Sequence, residues 1–203
     1  MADNYVLVTR YSPKLNSTMC ILLWRPKFPM KEHLTASLDV EGALARHPLL
    51  LPLLLLESVA ALAANHIDHC NVKLTEVEED TGQHGRQKTI TKDPMKLDFI
   101  ETSRALNTSS SILGKAERRL KAILLLLDQI VSYNDEVRNV TADPAGKVML
   151  DHCTVIAERN DDLRSLCKNH LIQLQFQEKR VQALLNVVSF KTVYLRHNVA
   201  LIV

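Results

Sequence analysis

Glycine and proline are scarce in this chain of 203 residues, at five and seven, and an all-strand fold with its many tight turns would need more of both. Aromatics are few as well. One tryptophan, four tyrosines and four phenylalanines do not supply the core of a β-sandwich. Charge of one sign is also missing: Lys and Arg number 25 against 23 Asp and Glu, a net charge of +2. No long-range field draws nucleic acid or an anionic membrane surface to such a chain. The longest unbroken apolar run, Pro48 to Leu56 with Pro52 inside it, is far short of the roughly 18 residues a bilayer span requires, so no membrane span is expected. Met1-Ala2-Asp3-Asn4-Tyr5 lacks the basic-then-apolar order of a secretory signal. The expected compartment is therefore the reducing cytoplasm, with Cys20, Cys70, Cys153 and Cys167 as free thiols. C-x-x-C pairs, G-x-S-x-G, Walker loops, G-x-G-x-x-G and H-E-x-x-H are all absent, and the chain reads as non-catalytic.

What is present is helical periodicity. Leu49, Leu53, Leu56, Ala60, Ala63, Ile67, Cys70, Leu74 and Val77 step by four and three residues, which lines them along one stripe of a helix over about residues 48–80. The same spacing returns at Leu106, Ser109, Leu113, Ala116, Leu120, Ile123, Leu127, Ile130, Asn134 and Val137. That predicts a second helix from near Pro94 to Asn139, weakened around Thr108-Ser109-Ser110-Ser111 and Gly114. A third stripe runs through Met149, Cys153, Ile156, Asn160, Leu163, Cys167, His170, Leu174, Gln177, Val181, Leu184 and Val188, for a helix over 147–188. Short connections make the three run up, down and up. The wide apolar face of Leu124-Leu125-Leu126-Leu127 and Leu49-Leu50-Leu51 gives the first two helices more than one neighbour each. Ahead of them, Tyr5–Tyr11 and Thr18–Trp24 are β-favouring runs flanking Ser12-Pro13-Lys14-Leu15-Asn16-Ser17. These form a hairpin that must dock on something to persist. Lys31 to Arg46 reads as one or two short helical pieces interrupted near Gly42. The fold class is thus mainly α (α+β): three long antiparallel amphipathic helices in a coiled bundle with a small N-terminal hairpin. The expected parts are 1–46 (a small α/β element), 47–188 (the bundle) and 189–203 (a tail).

Candidate chemistry is thin. Glu76, Glu78, Glu79 and Asp80 close the first helix, where negative charge opposes the helix dipole. They are candidates for a hard divalent cation, with solvation opposite a basic loop (His84, Arg86, Lys88) as the plainer account. Asp161-Asp162 has the same ambiguity. His66, His69 and Cys70 lie at helical neighbours and have zinc-ligand chemistry, but a buried thiol flanked by two boundary imidazoles explains the same letters. His152-Cys153 and Cys167 with His170 read likewise. Asn160, His170 and Gln177 read as polar layers that set register in a coiled bundle.

The strand pair with its Tyr-Ser-Pro turn, the string His47-Pro48-Leu49-Leu50-Leu51-Pro52 opening a long helix, Arg118-Arg119-Leu120-Lys121-Ala122-Ile123-Leu124, and Lys179-Arg180-Val181-Gln182-Ala183-Leu184-Leu185-Asn186 together resemble the cytosolic region of fungal CorA-like magnesium transporters over about residues 5–188. The resemblance implies a soluble α+β domain feeding a long helix that enters the membrane, with the ion path formed by a pentamer. Gly-Met-Asn, that family's signature after its first membrane helix, is not found here, so no pore residue carries over. What it implies for this chain is a non-catalytic domain with an ion-sensing or assembly role, magnesium as the ion concerned, and no transport by this chain alone. The alternative is a coiled-coil protein–protein interaction module unrelated to ion transport. The expected partner is a protein, or a second copy through helix faces. The expected location is cytoplasmic, becoming membrane-associated if the chain assembles with full-length relatives.

Overall fold

The computed structural model describes residues 5–12, 17–24, 30–83, 98–140 and 147–200, with the backbone alone at positions 5, 24, 30–33 and 191–200. The fold is mainly α, as the periodicity predicts. Strands β1 (Tyr5–Ser12) and β2 (Ser17–Trp24) pair antiparallel, from Tyr5↔Trp24 to Ser12↔Ser17. Helix α1 covers Met30–Val40, and a 3-10 turn at Leu44–Arg46 follows it. Three long helices complete the chain: α2 (Leu50–Thr81), α3 (Phe99–Val140) and α4 (Lys147–Ala200).

Local chemistry fixes the helix ends. At the end of α2, Gly82 takes φ +72°, a backbone region open to glycine at little cost. That turn lets the Gly82 and Gln83 N–H groups donate to the carbonyls of Glu79 and Glu78 at 3.2 and 2.8 Å, satisfying acceptors that the helix itself leaves open. At the start of α3 the Asp98 carboxylate accepts from the N–H of Ile100 and of Glu101 at 2.9 and 3.0 Å, the work of an N-cap aspartate. The anticipated turn at 13–16, the basic loop at His84, Arg86 and Lys88, the helix start near Pro94 and the break at 141–146 lie outside the described residues.

All three predicted stripes are buried along their length, with only Val77, Val137 and His170 half-exposed. Helix α3 is continuous, as predicted, and runs unbroken through Thr108–Ser111 and Gly114, where Ser109 is buried in the seam and packing outweighs modest propensity differences. One expectation is corrected. Helix α4 runs on to Ala200, so 189–200 is not a separate tail; no glycine or proline after Gly146 gives the helix a place to stop.

The chain forms two compact units, and each contains a piece of every long helix. Unit 1 comprises Met1–Ala61 and Lys121–Cys167; unit 2 comprises Leu62–Leu120 and Lys168–Val203. The boundaries at 61/62, 120/121 and 167/168 all fall inside helices. In unit 2, Cys70 meets Ser109 and Asn71 meets Gln177. In unit 1, Asn134 meets Cys153 and Asp128 meets Arg164. Helix α2 carries a stretch apolar enough, by length and composition, to cross a membrane, and half of that stretch is buried inside the protein. Glu57 and Ser58 interrupt its apolar run without making the stretch polar, so no unbroken apolar run marks it in the sequence.

Candidate functional site

Two acids at the end of α2, Glu78 and Glu76, pair with the protein's own cations. In unit 2 the Arg180 guanidinium makes a two-pronged contact with Glu78, Nε to Oε1 at 2.8 Å and Nη2 to Oε2 at 2.7 Å, a geometry that suits a carboxylate well. Arg180 also donates to Gln177 Oε1 and lies over the Phe176 ring. Glu76 pairs with Lys73 at 2.9 Å in an exposed contact, worth little on its own. Among the described residues no three His, Cys, Asp or Glu side chains converge in a way that could hold a metal, so Glu76, Glu78, Glu79 and Asp80 are not gathered into a cation site. Of the His66, His69 and Cys70 group, Cys70 is buried in the seam and His69 is exposed. His66 Nδ1 faces Arg119 at 3.4 Å. Asp161 and Asp162 are both exposed. Burial pushes the Cys70 and Cys167 thiols up, Cys167 to about 11, which keeps both protonated and poor as ligands or nucleophiles.

Unit 1 holds a second ion network, unforeseen in the sequence because its members are far apart in the chain. Arg159 on α4 bonds both oxygens of Glu57 on α2 and also Glu41, in the turn after α1. These hydrogen bonds raise its pKa further above the ordinary arginine value despite the opposing effect of burial. One guanidinium thereby fastens three elements.

Beside it lies a buried polar cluster. His47 is 1% exposed; its Nδ1 accepts the Leu49 N–H at 3.2 Å. A backbone N–H can only donate, so the imidazole proton sits on Nε2, facing Cys153 Sγ at 3.5 Å. Burial, helped by the neighbouring His152 and opposed by Asn134, lowers the His47 pKa to about 4. Burial likewise raises the Cys153 thiol. Asn134 donates to the Cys153 carbonyl at 2.8 Å, while its Oδ1, His152 Nδ1 and both side-chain polar atoms of Asn160 have no partner among the described residues. A cavity of about 70 Å³ between α3 and α4 is lined by Asn134 and Asn160. The arrangement is a buried polar layer between otherwise apolar stripes.

The feature with room for a partner is an apolar groove of about 790 Å³ in unit 1, within the size range of binding clefts. One wall is the inner face of β1, with Leu7, Thr9 and Tyr11; the floor includes Pro48, Pro52 and Leu55. The other wall is α3, through Leu126, Ile130, Tyr133, Val137 and Val140. Gln129 and Glu136 supply polar groups along that wall. The second apolar face of α3 noted in the sequence thus has a location: it lines the groove, with Leu126, Tyr133 and Val140 still exposed. Comparison with known protein families, with curated proteins and with solved structures finds no match for this chain.

Proposed function

We propose that this chain is a non-catalytic interaction module of coiled-coil type, whose unit 1 groove receives an amphipathic helix from a protein partner. One observation carries the reading: Leu126, Ile130, Tyr133, Val137 and Val140 step by four, three, four and three residues along the groove wall. That is the spacing of a helix seam. It is a second seam on α3, sharing only Ile130 and Val137 with the one buried against the bundle, and a helix is the shape that fills such a row. Glu136 on the same wall favours a partner with a basic residue flanking its apolar stripe.

The competing proposal is the ion-sensing role that the CorA-like resemblance implies. Two of its candidate acids, Glu78 and Glu76, already pair with Arg180 and Lys73, which lessens the pull of that helix end on an external cation. A heptad peptide with Leu at the seam and Lys beside it serves as the probe. Fluorescence anisotropy is expected to show binding to the native chain and at least tenfold weaker binding to Leu126→Glu and Tyr133→Glu, whose side chains are about half exposed. Equal binding by all three proteins removes the groove from consideration. Millimolar magnesium is expected to leave mass and melting temperature unchanged; a shift in either supports ion sensing instead.

A further inference from the structure

Strand alternation divides the hairpin into two faces. Leu7, Thr9 and Tyr11 of the inner face line the groove. The outer face carries Val6, Val8 and Arg10 on β1 opposite Leu23, Ile21 and Met19 on β2. Its five aliphatic side chains are between 53% and 64% exposed, and no described residue covers them. An apolar–polar alternation with the apolar set on both faces is not the pattern of a solvated hairpin, which keeps its outward positions polar.

We infer that this outer face is a self-association surface, on which the hairpin of a second copy packs face to face across a two-fold axis. Three features favour a second copy over another occupant. The first is area. Five aliphatics exposed by half or more leave about 500 Å² of apolar surface per copy, toward the upper end for a soluble monomer. Two such faces bury about 1,000 Å² together, the lower bound of a specific interface. The second is charge. The face has one charged residue, Arg10, at the end of the patch. With the strands of the two copies running oppositely across the axis, the two Arg10 side chains fall at opposite rims, each able to reach water, and nothing repels at the centre. The third is shape: cross-strand pairs Val6–Leu23 and Val8–Ile21 make a self-complementary aliphatic layer of the kind that stacks about 10 Å from its like in a sandwich. A closed two-fold pairing also removes the exposed face from open-ended association.

Light scattering and sedimentation of the full chain, up to about 200 µM because interfaces of this size are weak, are expected to show a concentration-dependent dimer. Ile21→Lys places a charge at the centre of the face and is expected to weaken dimerisation at least tenfold. Ile21→Thr keeps the β-branch and removes apolar area, giving a smaller loss in the same direction without threatening the hairpin. Tyr133→Glu, on the groove wall, is expected to dimerise like the native chain, so failure of groove binding and failure of dimerisation are read separately. A native monomer across the whole range, a dimer unaffected by both Ile21 substitutions, or growth into open oligomers each overturns the inference.

Discussion

The two units are built from the same three helices yet treat buried polarity differently. In unit 2 the seam is aliphatic through Ile67, Leu74, Leu106, Leu113, Leu120 and Leu174. Among its buried polar residues, Gln177 bonds Asn71 at 3.1 Å and receives Arg180 at 2.7 Å. In unit 1, the corresponding layers hold His47, Asn134 and Asn160, and the buried polar atoms found without a partner among the described residues all lie there. Buried polar layers set register whether or not they are satisfied, but unsatisfied ones cost stability. The groove and the apolar hairpin face belong to the same unit. Surfaces that engage partners are commonly drawn from the less stable part of a protein, and here the less well satisfied unit is the one that carries both proposed surfaces.

The largest expected effect comes from acid. His47 stays neutral in the folded chain down to about pH 4, whereas the unfolded chain takes up a proton near pH 6.5. Protons therefore favour the unfolded state between those values. Stability falls as pH drops from about 6.5 to 4, by on the order of 3 kcal/mol from this residue. Urea unfolding across that range is expected to show the loss in the native chain and a flatter profile in His47→Gln. A profile unchanged by the substitution contradicts the assignment.

A smaller effect separates the units by sign. Asn160→Leu removes two unpartnered polar atoms in a similar volume and is expected to stabilise the protein by about 2 kcal/mol. Gln177→Leu removes satisfied hydrogen bonds and is expected to destabilise by about 1 kcal/mol. Thermal unfolding of both variants reads the contrast directly, and shifts of the same sign dissolve it. Arg180→Met is expected to act on the same scale as Gln177→Leu. Both partners are largely but not fully buried, at 17% and 18% exposure, so about 1 kcal/mol is expected, with weak dependence on salt. Native-state hydrogen exchange should place that loss in unit 2.

How much of this was legible in the sequence follows from the range of each interaction. The stripes were legible because helical spacing is a local property, and a seam residue such as Leu120 or Ile156 declares itself through neighbours three and four places away. The hairpin was legible for the same reason, from its two β-favouring runs. The groove was half legible: Leu124–Leu127 marks a second apolar face on α3, but which element faces it depends on where the hairpin docks. Arg159 with Glu41 and Glu57, and His47 with Cys153, were not legible. Their partners lie more than a hundred positions apart, and a charged or polar letter carries no periodic mark of the side chain it will meet. The acidic run at 76–80 was visible, but Arg180, which answers Glu78, sits in a string notable in the sequence only for its leucines.

Because every unit boundary falls inside a helix, neither unit is a contiguous stretch that one cut would release. Synthesis from the N-terminus therefore completes them in order. Unit 1 has its last segment once Cys167 has left the ribosome, while the first segment of unit 2, Leu62–Leu120, waits for Lys168 onward. During that interval the aliphatic stripes of Ile67, Leu74, Leu106 and Leu113 lack their third helix. Unit 2 is thus the later to close, and its stripes are the ones a nascent chain leaves open longest and has most need to shield from its neighbours.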